Sequence, residues 1–267
     1  MLSLVVTTSR AENPQLHPIC QMWAERLRVP FVIRRDRSVA AICRDEGVDG
    51  TLVISVDRPP TFLSADQSIR YYYHPGMALT RIRNIVRGMG DPMVRAMKLG
   101  EGDSVLDCTL GRASDALVAA HVVGETGRVV GFEASPVLAE LTIDGLKVYE
   151  PTKAALAPVF RAIDARSGDA REFLRESDDG SFDVVYFDPI FGDPVDASSQ
   201  MQPLRPLADP QPLAPETVVD ARRVARRSVV IKERVEASLW AELGIVDIFR
   251  GNKSTIAYGA LPAVGAD

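Results

Sequence analysis

Short hydrophobic runs alternate with segments of helical periodicity from about residue 101 to the end of the chain. The runs predict buried strands over 103–109, 127–134, 157–164, 182–188 and 228–234. The segments between them predict helices over 115–123, 137–150, 170–177 and 215–226, and residues 244–261 predict a terminal hairpin. Buried parallel strands joined by helices indicate an α/β protein with a doubly wound sheet and an antiparallel edge hairpin.

The first hundred residues follow a different pattern. Residues 2–8 and 50–56 predict strands, and residues 17–29 predict an amphipathic helix. Helical spacing then resumes before the regular alternation begins. We therefore expect a small α/β N-terminal domain over 1–75, a helical connector over 76–100 and a larger domain over 101–267.

The composition is typical of a cytoplasmic globular protein. With 267 residues and 46% hydrophobic content, the chain can bury a core of its own. Its three cysteines are odd in number and widely spaced, so they suit neither a disulfide framework nor a zinc site. No hydrophobic run is long enough for a signal peptide or a membrane span, and we expect neither export nor membrane insertion.

The charge is unevenly distributed along the chain. A net charge of -5 argues against indiscriminate binding to nucleic acid. Residues 1–100 nevertheless carry +5, and residues 101–267 carry -10. A basic front segment is compatible with an anionic partner and equally with chance scatter of charge, so the asymmetry alone does not choose between them.

Four consecutive predicted strands each end in an acidic residue. In an open α/β sheet, ligands bind beyond the carboxyl ends of the strands. A single acid at such an end is more often a solvated cap than a ligand contact, whereas four in sheet order are hard to attribute to chance. The four are Asp107, Glu133, Asp164 and Asp188. Glu133 follows Asp107 by 26 residues, close to the spacing at which an acid accepts hydrogen bonds from ribose hydroxyls.

The turn after the first of these strands, CTLGRASD, indicates the class of ligand. A dinucleotide pyrophosphate needs several glycines, so that backbone amides can approach the phosphates at a helix N-terminus. This turn has one glycine, Gly111, and Asp107 and Asp115 add negative charge on either side of it. The turn therefore favours a ligand with a cationic centre and no phosphate, such as S-adenosylmethionine, over a nicotinamide dinucleotide.

Four segments carry a resemblance to a known family: VLDCTLGRASDALVAAHVV, EASPVLAELTIDGL, DVVYFDPIF and GNKSTIAYG. They resemble the class I methyltransferases of the ribosomal small-subunit methyltransferase J kind, and more closely its YpiP-type relatives. The resemblance implies a Rossmann-like methyltransferase fold, S-adenosylmethionine as methyl donor and, for methyltransferase J itself, N2-methylation of a guanine in 16S rRNA. The cofactor contacts that it implies are Asp107, Thr109, Gly111, Asp115, Glu133, Ala134, Asp164 and Ala165.

The segment FDVVYFDPIF resembles the signature of enzymes that methylate exocyclic amines of adenine or guanine. Such an amine is a poor nucleophile, because its lone pair is delocalised into the ring. The Asp188 carboxylate and the Pro189 carbonyl could accept its hydrogen bonds and orient the lone pair, while Phe191 could stack on an extruded base. The alternative is that Asp-Pro starts a turn and Phe191 covers the core.

Several residues are candidates for contact with RNA. His74 follows three tyrosines, and three arginines of the segment RIRNIVR are expected to share a helical face. A structural role for the histidine and a solvated arginine face are the alternatives. The candidates are His74, Arg81, Arg83, Arg87 and Arg205. Lys232, at the end of the last parallel strand, has no role that the sequence assigns.

These observations predict a methyltransferase that transfers a methyl group from S-adenosylmethionine to an exocyclic base amine, foremost guanine N2 of small-subunit rRNA. No metal is expected, because the sulfonium is already a good electrophile and no Cys/His cluster is present. An acceptor such as adenine N6, DNA or a small amine is the second hypothesis. A non-catalytic RNA-binding or assembly protein that retains the fold is the third, and affinity for the cofactor would separate it from the others.

Overall fold

A computed structural model describes residues 2–9, 13–189, 207, 211–252 and 254–265, which form two sheets flanked by helices. The strands are β1 Leu4–Thr8, β2 Gly50–Ile54, β3 Thr61–Ser64, β4 Arg70–Tyr72, β5 Ser104–Asp107, β6 Arg128–Glu133, β7 Ile163–Ser167, β8 Phe182–Phe187, β9 Ala225–Arg234, β10 Asp247–Arg250 and β11 Ile256–Pro262. The α-helices are α1 His17–Leu27, α2 Val39–Glu46, α3 Ala78–Val86, α4 Pro92–Met97, α5 Ser114–Val123, α6 Pro136–Val148, α7 Ala157–Arg161, α8 Ala170–Glu176, α9 Pro215–Val224 and α10 Leu239–Glu242.

The N-terminal sheet has the order β1-β2-β3-β4. Its first two strands are parallel, and the other neighbours are antiparallel. The sequence predicted β1, β2 and α1 but missed α2, β3 and β4, whose short segments lack a clear period. The buried face of this sheet packs with Trp23 of α1 and with Leu138 and Leu141 of α6, so the small sheet lies against a helix of the larger one.

The larger sheet has the order β10-β11-β9-β8-β5-β6-β7. Five neighbouring strands, from β7 to β9, run parallel, and β11 is antiparallel to both β9 and β10. The predicted doubly wound sheet with a terminal hairpin is confirmed. The chain turns in opposite directions from β5, with β6 on one side and β8 on the other, and such a switch point opens a crevice at the carboxyl ends of the strands.

One predicted strand is displaced. Residues Ala157–Arg161 of the predicted strand 157–164 form helix α7, and the strand itself is Ile163–Ser167. The reason is that Pro158 favours the first turn of a helix, whereas β7 lies at the sheet edge and buries one side chain, that of Ile163. Asp164 is therefore the second residue of β7 and not its last.

The segment between the sheets is helical, as predicted. Helix α4 packs on the larger sheet and α3 packs on α5, through buried side chains that include Ile82, Met93 and Met97. Asp91 caps α4 by accepting hydrogen bonds from the N–H groups of Met93 (3.0 Å) and Val94 (3.3 Å). Among the helices of the described residues, none is long and apolar enough to cross a bilayer.

Candidate active site

A cavity opens at the carboxyl ends of β5, β6, β8 and β9, at the switch point of the larger sheet. Eight of the predicted site residues line it: Asp107, Thr109, Gly111, Asp115, Glu133, Ala134, Asp188 and Pro189. Phe191 and Arg205, which were also predicted, lie outside the described residues. Within the described part of the chain, no three His, Cys, Asp or Glu side chains are grouped so that they could hold a metal ion.

The turn after β5 is held in place by hydrogen bonds to its neighbours. The Gly111 N–H donates to Oε2 of Glu133 (2.9 Å), and the Thr142 hydroxyl donates to the Gly111 carbonyl (2.7 Å). Gly111 has a φ of +53°, a left-handed conformation that favours glycine. The turn therefore needs its single glycine for backbone geometry, and it lies directly against the end of β6.

Glu133 ends β6 with its side chain buried, 6% exposed. Its Oε1 accepts from the Ser135 N–H (2.9 Å) while Oε2 accepts from Gly111. These bonds orient the carboxylate at the cavity wall, and Ala134 lies beside it. The acid predicted for ribose recognition thus lies at the cavity in a fixed orientation.

Asp164 and Ala165 do not lie at the cavity. The Asp164 carboxylate is 48% exposed and pairs with Arg166 (2.6 Å). β7 ends at Ser167, and the residues just after it that line the cavity are Asp169, Ala170 and Arg171. The placement of Asp164 at a strand end was therefore wrong, because Asp164 is the second of the five residues of β7.

Asp107 is buried at the end of β5, with 2% of its surface exposed. Its Oδ1 accepts from the Thr109 N–H (3.0 Å). Burial raises the pKa of Asp107 to about 8, with Asp115 and Asp188 adding to the rise, although the Thr109 hydrogen bond and Lys232 oppose it. An ionised Asp107 is thus costly unless a cation comes to the cavity.

Asp188 directly follows β8 and is held from both sides. Its N–H donates to the Thr109 hydroxyl (2.6 Å), and its Oδ2 accepts from Nζ of Lys232 (2.7 Å). Burial raises the pKa of Asp188, and the positive charge of Lys232 lowers it only in part because Asp115 raises it further. Within the described residues, no side chain or amide donates a hydrogen bond to the other oxygen, Oδ1.

Asp115 lines the cavity, but its oxygens are occupied by other side chains. Oδ1 accepts from Arg81, and Oδ2 accepts from the Tyr186 hydroxyl (2.9 Å) and from Nζ of Lys232 (3.1 Å). Burial would raise the pKa of Asp115, but Lys232 and Arg81 outweigh it and hold the pKa well below its usual range. Both carboxylate oxygens of Asp115 therefore bind side chains of the protein rather than being directed at a ligand in the cavity.

The arginines predicted to contact RNA do not share a helical face. Arg81 points into the protein, where it pairs with Asp115 and with Asp91 (2.8 Å). Arg83 and Arg87 are exposed. Residues that are two positions apart on a helix are rotated by about 200° relative to each other, so Arg81 and Arg83 necessarily face in different directions. The expectation for Arg81 was wrong, whereas Arg83 and Arg87 remain candidates.

His74 lies beside the turn after β5. Its Nδ1 accepts from the Gly76 N–H (3.2 Å), and its Nε2 is 3.5 Å from a terminal nitrogen of Arg112, which lines the cavity. Burial, followed by the charge of Arg112, lowers the pKa of His74. The ring also contacts that of Tyr72, which is 41% exposed, with 6.1 Å between centroids. An aromatic surface thus leads from β4 to the rim of the cavity.

Two site features escaped sequence reasoning. Lys232 contacts both Asp115 and Asp188, a role for which the signal was a lysine at the carboxyl end of a buried strand, in VVIKER. Asp169 and Ala170 replace Asp164 and Ala165 at the cavity, and the signal was the sequence Gly-Asp-Ala, in which Asp169 caps α8.

Comparisons with known proteins agree with this geometry. A family model described as "Putative SAM-dependent methyltransferase", SAM being S-adenosylmethionine, matches residues 65–248. The uncharacterized protein YpiP of Bacillus subtilis is 33% identical over 96% of this chain and 98% of its own length. The ribosomal RNA small subunit methyltransferase J of Laribacter hongkongensis is 34% identical over 62% of this chain and 60% of its own length. The fold resembles that of a SAM-dependent methyltransferase of Neisseria gonorrhoeae, with a TM-score of 0.64 over 99% of this chain and 98% of that one, at 16% identity.

Proposed function

Because the chain belongs to the family of SAM-dependent methyltransferases, we propose that its acceptor is an exocyclic base amine of RNA, namely N2 of a guanine in small-subunit ribosomal RNA. S-adenosylmethionine is its methyl donor. The observation that carries the proposal is the position of Asp188 and Pro189, which line the same cavity as the residues at the ends of β5 and β6. A base amine at this edge would lie next to the donor.

The cavity suits the cofactor by its charge and by the composition of the turn after β5. Among the described residues, five acidic side chains line it against three basic ones: Asp107, Asp115, Glu133, Asp169 and Asp188 against Arg112, Arg171 and Lys232. An excess of negative charge favours a ligand that carries a sulfonium and an ammonium group. The turn after β5 has no glycine-rich cradle for phosphates.

Each end of the cofactor has candidate partners in this cavity. We assign its amino group to Asp107 and to the turn at Gly111, and its ribose hydroxyls to Glu133, whose carboxylate is already oriented. Asp169 and Ala170 lie at the end of β7, on the far side of Glu133 from β5, and we assign them to the adenine. When bound, S-adenosylmethionine supplies an electrophilic methyl group.

The chain's contribution to the transfer is orientation and proton acceptance. Asp188 Oδ1 and the Pro189 carbonyl accept hydrogen bonds from the two N–H groups of the amine, which directs its lone pair toward the methyl carbon. As the new C–N bond forms and the C–S bond breaks, the amine nitrogen acquires a positive charge. It then loses a proton, and Asp188, whose pKa burial raises, can accept it.

An RNA acceptor is supported by similarity and by the surface near the cavity. The relative in Laribacter hongkongensis is named for methylation of small-subunit ribosomal RNA. Exposed Tyr72 and the His74 ring form an aromatic surface that leads to Arg112 at the cavity, an arrangement suited to stacking bases and binding phosphate. Arg83 on α3 and Arg87, which directly follows that helix, add exposed positive charge.

Nucleoside mass spectrometry of 16S rRNA tests the proposal. Ribosomal RNA from cells that lack the gene should be missing one N2-methylguanosine, and the purified protein with S-adenosylmethionine should restore it to the deficient subunits. An unchanged set of modified nucleosides would exclude small-subunit rRNA as the acceptor. A different methylated nucleoside would identify the acceptor in its place.

The Asp188→Ala variant tests the assigned site. It should lower the rate of methyl transfer at least about a hundredfold, because the amine loses its hydrogen-bond acceptor, and it should leave cofactor affinity within about twofold of the wild type. Asp178→Ala is the matched control, since Asp178 is exposed in the turn before β8. Full activity in Asp188→Ala would rule out the assignment.

A further inference from the structure

We propose that Lys232 is a positioning residue for methyl transfer, which holds the Asp188 carboxylate with Oδ1 turned toward the acceptor amine. The inference rests on the proposed role of Asp188 in binding that amine. Lys232 lies near the carboxyl end of β9, next to β8 in the sheet, and 21% of its side chain is exposed at the cavity. The residue therefore reaches Asp188 from the neighbouring strand.

The geometry gives Lys232 two fixed partners. Its Nζ lies 2.7 Å from Oδ2 of Asp188 and 3.1 Å from Oδ2 of Asp115. The ammonium is thus a bridge between a carboxylate at the cavity edge and a carboxylate on helix α5. With Oδ2 of Asp188 occupied by the bridge and its N–H bound to the Thr109 hydroxyl (2.6 Å), the remaining oxygen Oδ1 has a defined direction.

The bridge is itself anchored by a row of charges that extends into the protein. Asp115 is fixed by Arg81 and by the Tyr186 hydroxyl (2.9 Å), and Arg81 is fixed by Asp91 (2.8 Å), the cap of α4. Such a row restricts the position of Nζ more than a single surface pair would, because its members are hydrogen-bonded and either buried or half-buried. Lys232 therefore holds the Asp188 carboxylate from a fixed position.

Electrostatics adds a second effect of Lys232. An ammonium at 2.7 Å favours the ionised form of Asp188, which is the form that can accept hydrogen bonds from an amine. Burial and Asp115 act in the opposite direction, so removal of the lysine would raise the pKa of Asp188 further. The titratable and charged groups that face Lys232 are Asp115 on α5, Asp188 after β8, Arg81 on α3, Tyr186 on β8, Tyr258 on β11 and Asp107 on β5.

The alternative is a lysine that only stabilises the fold. Buried ion pairs are often replaceable by apolar residues without loss of structure, so stability alone does not distinguish the two roles. A structural lysine would change the unfolding free energy but would leave the pH dependence of the reaction unchanged. The pH profile is therefore the decisive measurement.

The test compares Lys232→Met with the control Lys153→Met, which replaces an exposed lysine that does not line the cavity. Methyl transfer is assayed on small subunits from cells that lack the gene. We expect Lys232→Met to lower kcat at least about tenfold, to leave cofactor affinity within about twofold, and to move the acid limb of the kcat profile to higher pH. Lys153→Met should match the wild type in all three measurements.

A double-variant cycle tests whether Lys232 acts through Asp188. If it does, Asp188→Ala with Lys232→Met should have the same residual rate as Asp188→Ala alone, within about threefold. Multiplicative losses would overturn the inference and leave the proposed role of Asp188 intact. Wild-type activity in Asp188→Ala alone would instead contradict the proposed function, so the two failures are distinguishable.

Two further measurements test the inference even if Lys232→Met does not fold, or if the small subunits are not methylated in the assay. Lys232→Arg keeps the charge but changes its shape, and it should retain the acid limb while kcat falls. The carboxyl ¹³C signal of Asp188, assigned by its loss in Asp188→Asn, reports ionisation without any acceptor. A pKa of Asp188 that is the same in Lys232→Met and in the wild type would overturn the inference.

Discussion

The N–H of Gly111 donates a 2.9 Å hydrogen bond to Oε2 of Glu133, so the turn after β5 and the end of β6 form one unit. The two residues are 22 positions apart in sequence, and Gly111 follows β5 while Glu133 ends β6, its parallel neighbour in the sheet. Glu133 thereby does two things, since it orders the turn and presents a carboxylate at the cavity wall. Loss of its side chain should affect cofactor binding through both.

The first prediction concerns this carboxylate. Glu133→Ala should weaken S-adenosylmethionine binding at least about tenfold, because it removes an acceptor for the ribose and leaves the Gly111 N–H without its partner. Isothermal titration calorimetry measures the effect. Glu176→Ala, which replaces an exposed glutamate on α8, should bind as the wild type does. Equal affinity in Glu133→Ala would remove Glu133 from the cofactor site.

The second prediction is a pH dependence of cofactor binding. Burial raises the pKa of Asp107 to about 8, and a cationic ligand favours the ionised carboxylate. Affinity should therefore rise as the pH increases from 6.5 to 8.5, by at most about tenfold per unit, with proton release on binding at the lower pH values. Calorimetry in two buffers of different ionisation enthalpy detects the protons, and Asp107→Asn should release none.

The same carboxylate affects stability with a defined sign. The pKa of Asp107 is higher in the folded protein than in the unfolded chain, so its contribution to stability is fully present below about pH 4 and is lost as the pH rises through about 8. Without cofactor, Asp107→Asn should therefore unfold at a higher temperature than the wild type at pH 8.5. A lower Tm for the variant at that pH would contradict the conclusion that ionised, buried Asp107 destabilises the folded protein.

Much of the fold follows from the sequence because the larger sheet buries its central strands. Val184 and Val185 of β8 are fully buried, and a run of hydrophobic residues is the signature of such a strand. The edge strand β7 buries only Ile163 of its five residues and leaves the other four half-buried or exposed, so it has no such signature and its bounds were missed. Prediction succeeded where burial dictates residue type, and failed at the edge.

The residues of the candidate site also fall into a group that the sequence predicts and a group that it does not. Asp107, Glu133 and Asp188 end buried strands, so their place at the cavity follows from sheet topology. Lys232 pairs with Asp188, which is 44 residues away in sequence, and Arg81 pairs with Asp115, which is 34 residues away. In each pair the two residues lie on different parts of the fold. Such long-range pairing depends on how helices pack on the sheet, and local periodicity carries no information about it.

The third prediction separates two arginines of one helix. Arg81→Met should lower the free energy of unfolding by about 3–5 kcal/mol, because it leaves the buried carboxylates of Asp91 and Asp115 without their guanidinium. Arg83→Met should change it by no more than about 0.5 kcal/mol, since Arg83 is exposed. Urea denaturation followed by circular dichroism measures both. Similar losses for the two variants would contradict the inward position of Arg81.

The last prediction concerns the contact between the N-terminal segment and helix α6. A Cβ at Gly145 would clash with the ring of Tyr73, which is buried against the helix. Alanine normally stabilises a helix interior by about 1 kcal/mol relative to glycine, but here overpacking should dominate and Gly145→Ala should destabilise the protein by about 1–3 kcal/mol. Gly100→Ala is the control, because a Cβ there meets no atom within 4 Å. A stabilised Gly145→Ala variant would mean that the Tyr73 ring does not pack on α6.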